Sequence, residues 1–99
     1  MTVNYESYLS LSRLLELQQP RSTPPEHDEM LFIVIHQVYE LWFKQLLHEI
    51  DKAKVDLSGD DLFGAIATFK RMRTIMKTLV DMRKLLAEEN TEVLPTIGM

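Results

Sequence analysis

Ninety-nine residues with a net charge of −4 and no cysteine make one domain at most, and a thinly stabilised one. The acidic balance offers a polyphosphate backbone nothing to bind, which excludes nucleic acid as a partner. The missing thiols exclude disulfides, zinc knuckles and cysteine nucleophiles.

Three helical segments are predicted, with no strand signal. The first spans about Tyr5 to Leu17: Tyr5, Tyr8 and Leu9 stand at i, i+3 and i+4, and Leu11, Leu14 and Leu15 extend the arc. Pro20 stops it, and Pro24-Pro25 keeps the next stretch a loop. The second starts near Pro25–His27, with Asp28 and Glu29 in a first turn where the helix dipole favours negative charge. It runs without Pro or Gly to Leu57. Ser58-Gly59-Asp60-Asp61 is a turn, in which Ser58 and Asp61 fit a capping box for the third helix. There Leu62, Ala65, Phe69, Met72, Met76, Leu79 and Leu86 follow a 3-4 spacing that only Arg83 breaks. Antiparallel packing of helices two and three follows. The expected chain is all-α: an N-terminal helix in 1–20, a loop in 21–26, a long antiparallel helical hairpin in 27–90 and an irregular tail in 91–99.

Between Met30 and Phe43 eleven of fourteen residues are apolar or aromatic, on every side of the helix. A helix of about 30 residues is about 45 Å long, against about 35 Å for a compact globule of this chain length. A helix apolar all round must be covered all round, so the hairpin is expected to be part of a helical-bundle oligomer or of a larger protein. The run Met30–Ile35 is too short to cross a bilayer and is followed by His36, Gln37, Glu40 and Lys44. The start, MTVNYESYLS, has no basic residues ahead of an apolar core. The expectation is a cytoplasmic protein with no membrane partner.

His36 is the residue with the most chemistry. An imidazole among Phe32, Ile33, Val34, Ile35 and Val38 offers a donor and an acceptor in a water-poor setting. That suits recognition of a ring N–H, proton relay or metal ligation. From position alone the commoner outcome is a core histidine satisfied by Glu40 or a backbone carbonyl. The stripe of Phe32, His36, Tyr39 and Phe43 is likewise more often packing than a ligand site. No Glu stands three residues before a His and HExxH is absent, so no protein-only metal site is expected. Glycines at 59, 64 and 98 build neither a phosphate loop nor a nucleophile elbow. Lys70, Arg71, Arg73, Lys77, Arg83 and Lys84 make a basic face balanced by Asp60, Asp61, Asp81, Glu88 and Glu89.

The string from His27 to Gln45, HDEMLFIVIHQVYELWFKQ, closely resembles the signature region of the tryptophan 2,3-dioxygenases. So do Tyr5-Glu6-Ser7-Tyr8-Leu9-Ser10-Leu11, Leu14-Leu15 and Gln18-Gln19-Pro20, and the resemblance runs from about Asn4 to Met82. It implies an all-helical tetramer that uses ferrous heme to bind O2 and insert both oxygen atoms across the C2–C3 bond of the indole of L-tryptophan, giving N-formylkynurenine. For His36 it implies the distal histidine that hydrogen-bonds the indole N–H, and for Phe32 an aromatic wall of the substrate pocket. For Tyr5, Tyr8 and Leu9 it implies closure of a neighbouring subunit's pocket. With the resemblance, the functional role of His36 overtakes the core-histidine one.

The match departs near Arg83, where the family carries an aromatic. The family's Phe-Arg pair, which grips the substrate carboxylate, and its heme-ligating histidine are unmatched, and His27 and His48 have no motif support as replacements. The expectation is a chain that contributes the distal side of an indole pocket, completes it in a homo-oligomer or with a complementary chain, and turns over no tryptophan alone. The competing expectation is a non-catalytic helical assembly, or an indole- or heme-binding remnant.

Overall fold

The computed structural model describes residues 4–87. The expected tail at 91–99 and the last residues of the expected hairpin lie outside them. Four helices are present, α1 (Tyr5–Leu9), α2 (Leu11–Leu14), α3 (Glu29–Ser58) and α4 (Leu62–Ala87), with no strand among the described residues. The all-α expectation holds. The chain divides into two compact units between Val34 and Ile35.

In the first unit the helix expected over Tyr5 to Leu17 is two short ones. α1 starts on a capping box: Asn4 Oδ1 accepts from Ser7 N at 2.8 Å, and the Ser7 hydroxyl accepts from Asn4 N at 3.4 Å. It ends at Ser10, which is left-handed (φ 53°, ψ 44°) and donates its N–H back to Glu6 and Ser7. The 3-4 spacing passes over Ser10 unbroken, but neither helix buries a residue. Among the described residues no burial therefore supports a continuous rod here, and short helices need such help. Beyond α2 the chain turns through Pro20–Pro25 and is closed by Glu29, described below.

The second unit is an antiparallel hairpin. Tyr39 Oη donates to the Leu79 carbonyl at 3.0 Å, Arg71 Nη1 donates to Glu49 Oε1 at 3.0 Å, and Asp61 N donates to the Asp56 carbonyl at 2.7 Å. Partners thus converge steadily on the turn. Ile35, Ala53, Ala65 and Ile75 are the buried apolar core, with Trp42, Leu46, Met72, Leu79, Met82 and Leu86 half-buried along it. Fully burying one such large aliphatic side chain contributes about 1.5–3 kcal/mol.

The inner seam of α4 differs from the expected series. It runs Ala65, Thr68, Met72, Ile75, Leu79, Met82, Leu86, while Leu62, Phe69 and Met76 face outward. Thr68 can stand inside because its hydroxyl donates to the Gly64 carbonyl at 3.1 Å, leaving no unsatisfied donor. At the turn the cap is Asp61, whose Oδ1 accepts from Gly64 N at 2.9 Å; Ser58 is the last residue of α3. The left-handed residue is Asp60 (φ 59°), a type that tolerates this region, and not Gly59. A Cβ at Gly64 would run into the Asp61 carboxylate and lie 3.0 Å from Asp56 Oδ2.

Candidate functional site

His36 is exposed. The reason is angular: the buried face of α3 follows Ile35, Tyr39, Trp42, Leu46, Glu49 and Ala53, and a neighbour in sequence stands about 100° round the helix. The expected dry setting is therefore not built by this chain's own hairpin, and His36 is not a core histidine. On its flank, at 4-3-4 spacing, stand Glu40, Phe43 and Leu47, all exposed. Tyr39 leaves that stripe for the seam, where its hydroxyl reaches α4 and its ring stacks on Phe43 with centroids 6.1 Å apart.

The other predicted residues belong to the first unit. Phe32 is half-buried in the first turns of α3. Tyr5 and Tyr8 are each 75% exposed on α1, beside exposed Leu9. These three share one helix face, as their spacing predicts. An open depression of about 440 Å³ lies among His27, Asp28, Met30, Leu31 and Val34.

Two buried carboxylates escaped the sequence reading of the site. Glu29, 1% exposed, accepts from Arg21 N at 2.7 Å, from Ser22 N at 2.9 Å and from the Ser22 hydroxyl at 2.7 Å. Burial alone would raise its pKa, but these bonds and the Arg21 charge outweigh it and hold the carboxyl below the ordinary value. The sequence signal was only an acid in a helix's first turn; its partners lie seven and eight residues back, at no spacing that a pattern reveals. Glu49, 3% exposed, is held below the ordinary value by the Arg71 hydrogen bond first of all, against burial, with further help from the Arg71 charge and from Gln45. Gln45 Nε2 donates to it at 3.2 Å. Both are structural anchors by their partners.

Among the described residues no three His, Asp or Glu side chains cluster as metal ligands, and no helix is long and apolar enough to cross a membrane. The family model described as Tryptophan 2,3-dioxygenase matches residues 1–98. A tryptophan 2,3-dioxygenase of Herpetosiphon aurantiacus is 56% identical over 78 residues, covering 79% of this chain and 30% of the relative. One from Anaeromyxobacter sp. (strain K) is 54% identical over 78 residues, covering 79% of this chain and 29% of the relative. One from Arthrobacter sp. (strain FB24) is 48% identical over 85 residues, covering 86% of this chain and 30% of the relative. The chain thus spans about 30% of the length of these relatives.

Proposed function

The chain belongs to the tryptophan 2,3-dioxygenase family, and on that premise we propose that it forms the substrate side of an indole pocket in a dioxygenase that opens the indole ring of L-tryptophan to N-formylkynurenine with O2. The observation that carries the proposal is an imidazole kept out of the core on a flank whose Phe43 and Leu47 are exposed as well. In the proposed complex an unprotonated ring nitrogen of His36 accepts from the indole N–H, which fixes the ring's rotation. Phe32 gives the indole an aromatic wall, where ring packing adds to the apolar area removed from water. Tyr5, Tyr8 and Leu9 close the pocket of a neighbouring subunit in a homo-oligomer, the tetramer that the family resemblance implies. Their exposure leaves that face free to be covered from outside. The proposed setting is the cytoplasm.

The cofactor of the proposal is heme. On its substrate side the chain offers the exposed imidazole of His36, flanked by exposed Phe43 and Leu47, and no residue of this chain is assigned to hold the iron. Bound heme supplies the iron at which O2 is activated. The work of His36 and Phe32 is to bind and orient the indole and to exclude water from it.

The test is His36→Ala in the assembled protein. Removing one acceptor for a ring N–H weakens tryptophan binding by about 0.5–1.5 kcal/mol, while an exposed position leaves the melting temperature nearly unchanged. Equal losses of stability and affinity would overturn the assignment.

A non-catalytic helical assembly is the second possibility, favoured by the amount of uncovered apolar surface on α3 and α4, with Phe63 87% exposed. Titration with hemin separates the two. A stoichiometric, sharp Soret band supports the pocket, and free-hemin absorption in a protein that still self-associates supports assembly alone.

A further inference from the structure

We propose that Glu29 is a positioning residue for the indole pocket: its buried carboxylate latches the Arg21–Ser22 backbone onto the first turn of α3 and so sets the place of Phe32. The proposal rests on the assignment of Phe32 to the pocket wall given above. The latch itself rests on geometry within the first unit.

The bonds form a closed chain. The carboxylate takes two backbone N–H groups and one hydroxyl, at 2.7–2.9 Å. The Ser22 oxygen that donates to Glu29 also accepts from Glu26 N at 3.0 Å, and Glu29 N donates to the Glu26 carbonyl at 3.1 Å. Segment 21–29 is therefore tied at both ends to the same turn. Phe32 follows at once: its N–H donates to the Asp28 carbonyl at 3.1 Å, the bond that continues the helix from the tied turn.

Among the described residues of this unit Glu29 is the one buried side chain. No apolar core stands in for it there. Burying a carboxylate is costly unless it is fully hydrogen-bonded, and all the bonds that satisfy this one come from the loop. Glu29→Gln keeps one carbonyl acceptor and turns the other oxygen into a donor, so one of the two loop amides loses its acceptor and the start of α3 frays. The first aromatic side chain to move is that of Phe32.

The test is a double-mutant cycle in the assembled, heme-loaded protein with tryptophan as substrate: Glu29→Gln, Phe32→Leu and the pair, with Ser22→Ala as a milder variant that keeps the carboxylate. A positioning role raises KM about tenfold in Glu29→Gln, with a much smaller change in kcat. The raised KM in the pair is then less than the product of the two single effects, since coupled sites are not additive. Multiplicative effects, or equal loss of KM and melting temperature in both glutamate and serine variants, would reduce Glu29 to a structural role and overturn the proposal. Hydrogen exchange at the Arg21 and Ser22 amides tests the latch without any activity. Protection is lost at one of the two amides in Glu29→Gln and at both in Glu29→Ala if the latch exists, and unchanged protection in both variants overturns it. If Phe32→Leu alone leaves KM at its parent value while those amides lose protection, the pocket assignment fails and the latch stands.

Discussion

Up to Val34 the described part of the chain buries one side chain, the carboxylate of Glu29, whereas from Ile35 onward the buried set is mostly apolar and long-range. Among the described residues, the hydrogen bonds to Glu29 in the first unit reach back seven and eight residues, whereas those that join the helices of the second link positions 22 and 40 apart in sequence. A polar latch fixes direction and is sensitive to a single atom. An apolar seam tolerates local change but depends on filled volume. Phe32 lies in the first unit and His36 in the second.

The largest expected effect strikes the seam. Ile35→Ala, at a side chain 1% exposed, should destabilise the protein by about 3 kcal/mol in denaturant unfolding; a loss below about 1 kcal/mol would show that the hairpin is not packed at this point. Acid comes next. Glu29 and Glu49 both have carboxyls held below the ordinary value of 4.5. Their stabilisation is therefore fully present above pH 4.5 and is lost as pH falls through their lower folded values. Glu49→Gln should flatten the fall in stability below pH 4.5, and an unaltered acid transition would show that the Arg71 partner contributes nothing. Tyr39→Phe keeps the ring and removes one hydroxyl, so the expected loss is about 1 kcal/mol, read from the same unfolding curves. The smallest effect is at Tyr5 and Tyr8. Their replacement by Ala should move stability by no more than about 0.5 kcal/mol while lowering tryptophan affinity in the oligomer. A large stability loss would place them in a core of their own chain.

Much of the hairpin was legible because spacing alone carries it. The unbroken run of α3 to the turn and the antiparallel return follow from the absence of Pro and Gly and from apolar periodicity, while its start at Glu29 lies beyond the expected Pro25–His27. The identity of the inner seam was not legible. α4 has more apolar residues than one stripe can hold, so Phe69 and Met76 fit the 3-4 series as well as Thr68 and Ile75 do, and only the partner helix decides. Ser10 was invisible for the opposite reason: a left-handed serine at an exposed site has no compositional mark. The environment of His36 was not legible, since an apolar run in sequence surrounds it on paper while the helix turns it away from buried Ile35. Glu29 was found as a helix-dipole acid and missed as an anchor, because its partners are backbone groups and any sequence supplies those.

The tip of the hairpin carries one more consequence. With a bare glycine at 64, the Asp61 carboxylate can fold against the backbone and end the turn in a single way. That tip is the zero mark from which both long helices are measured. A slip of one residue there would rotate every inward group of α4 by about 100° and bring a different set of side chains opposite α3. The hairpin's register over its whole length therefore hinges on the missing methyl group of one small residue at its tip.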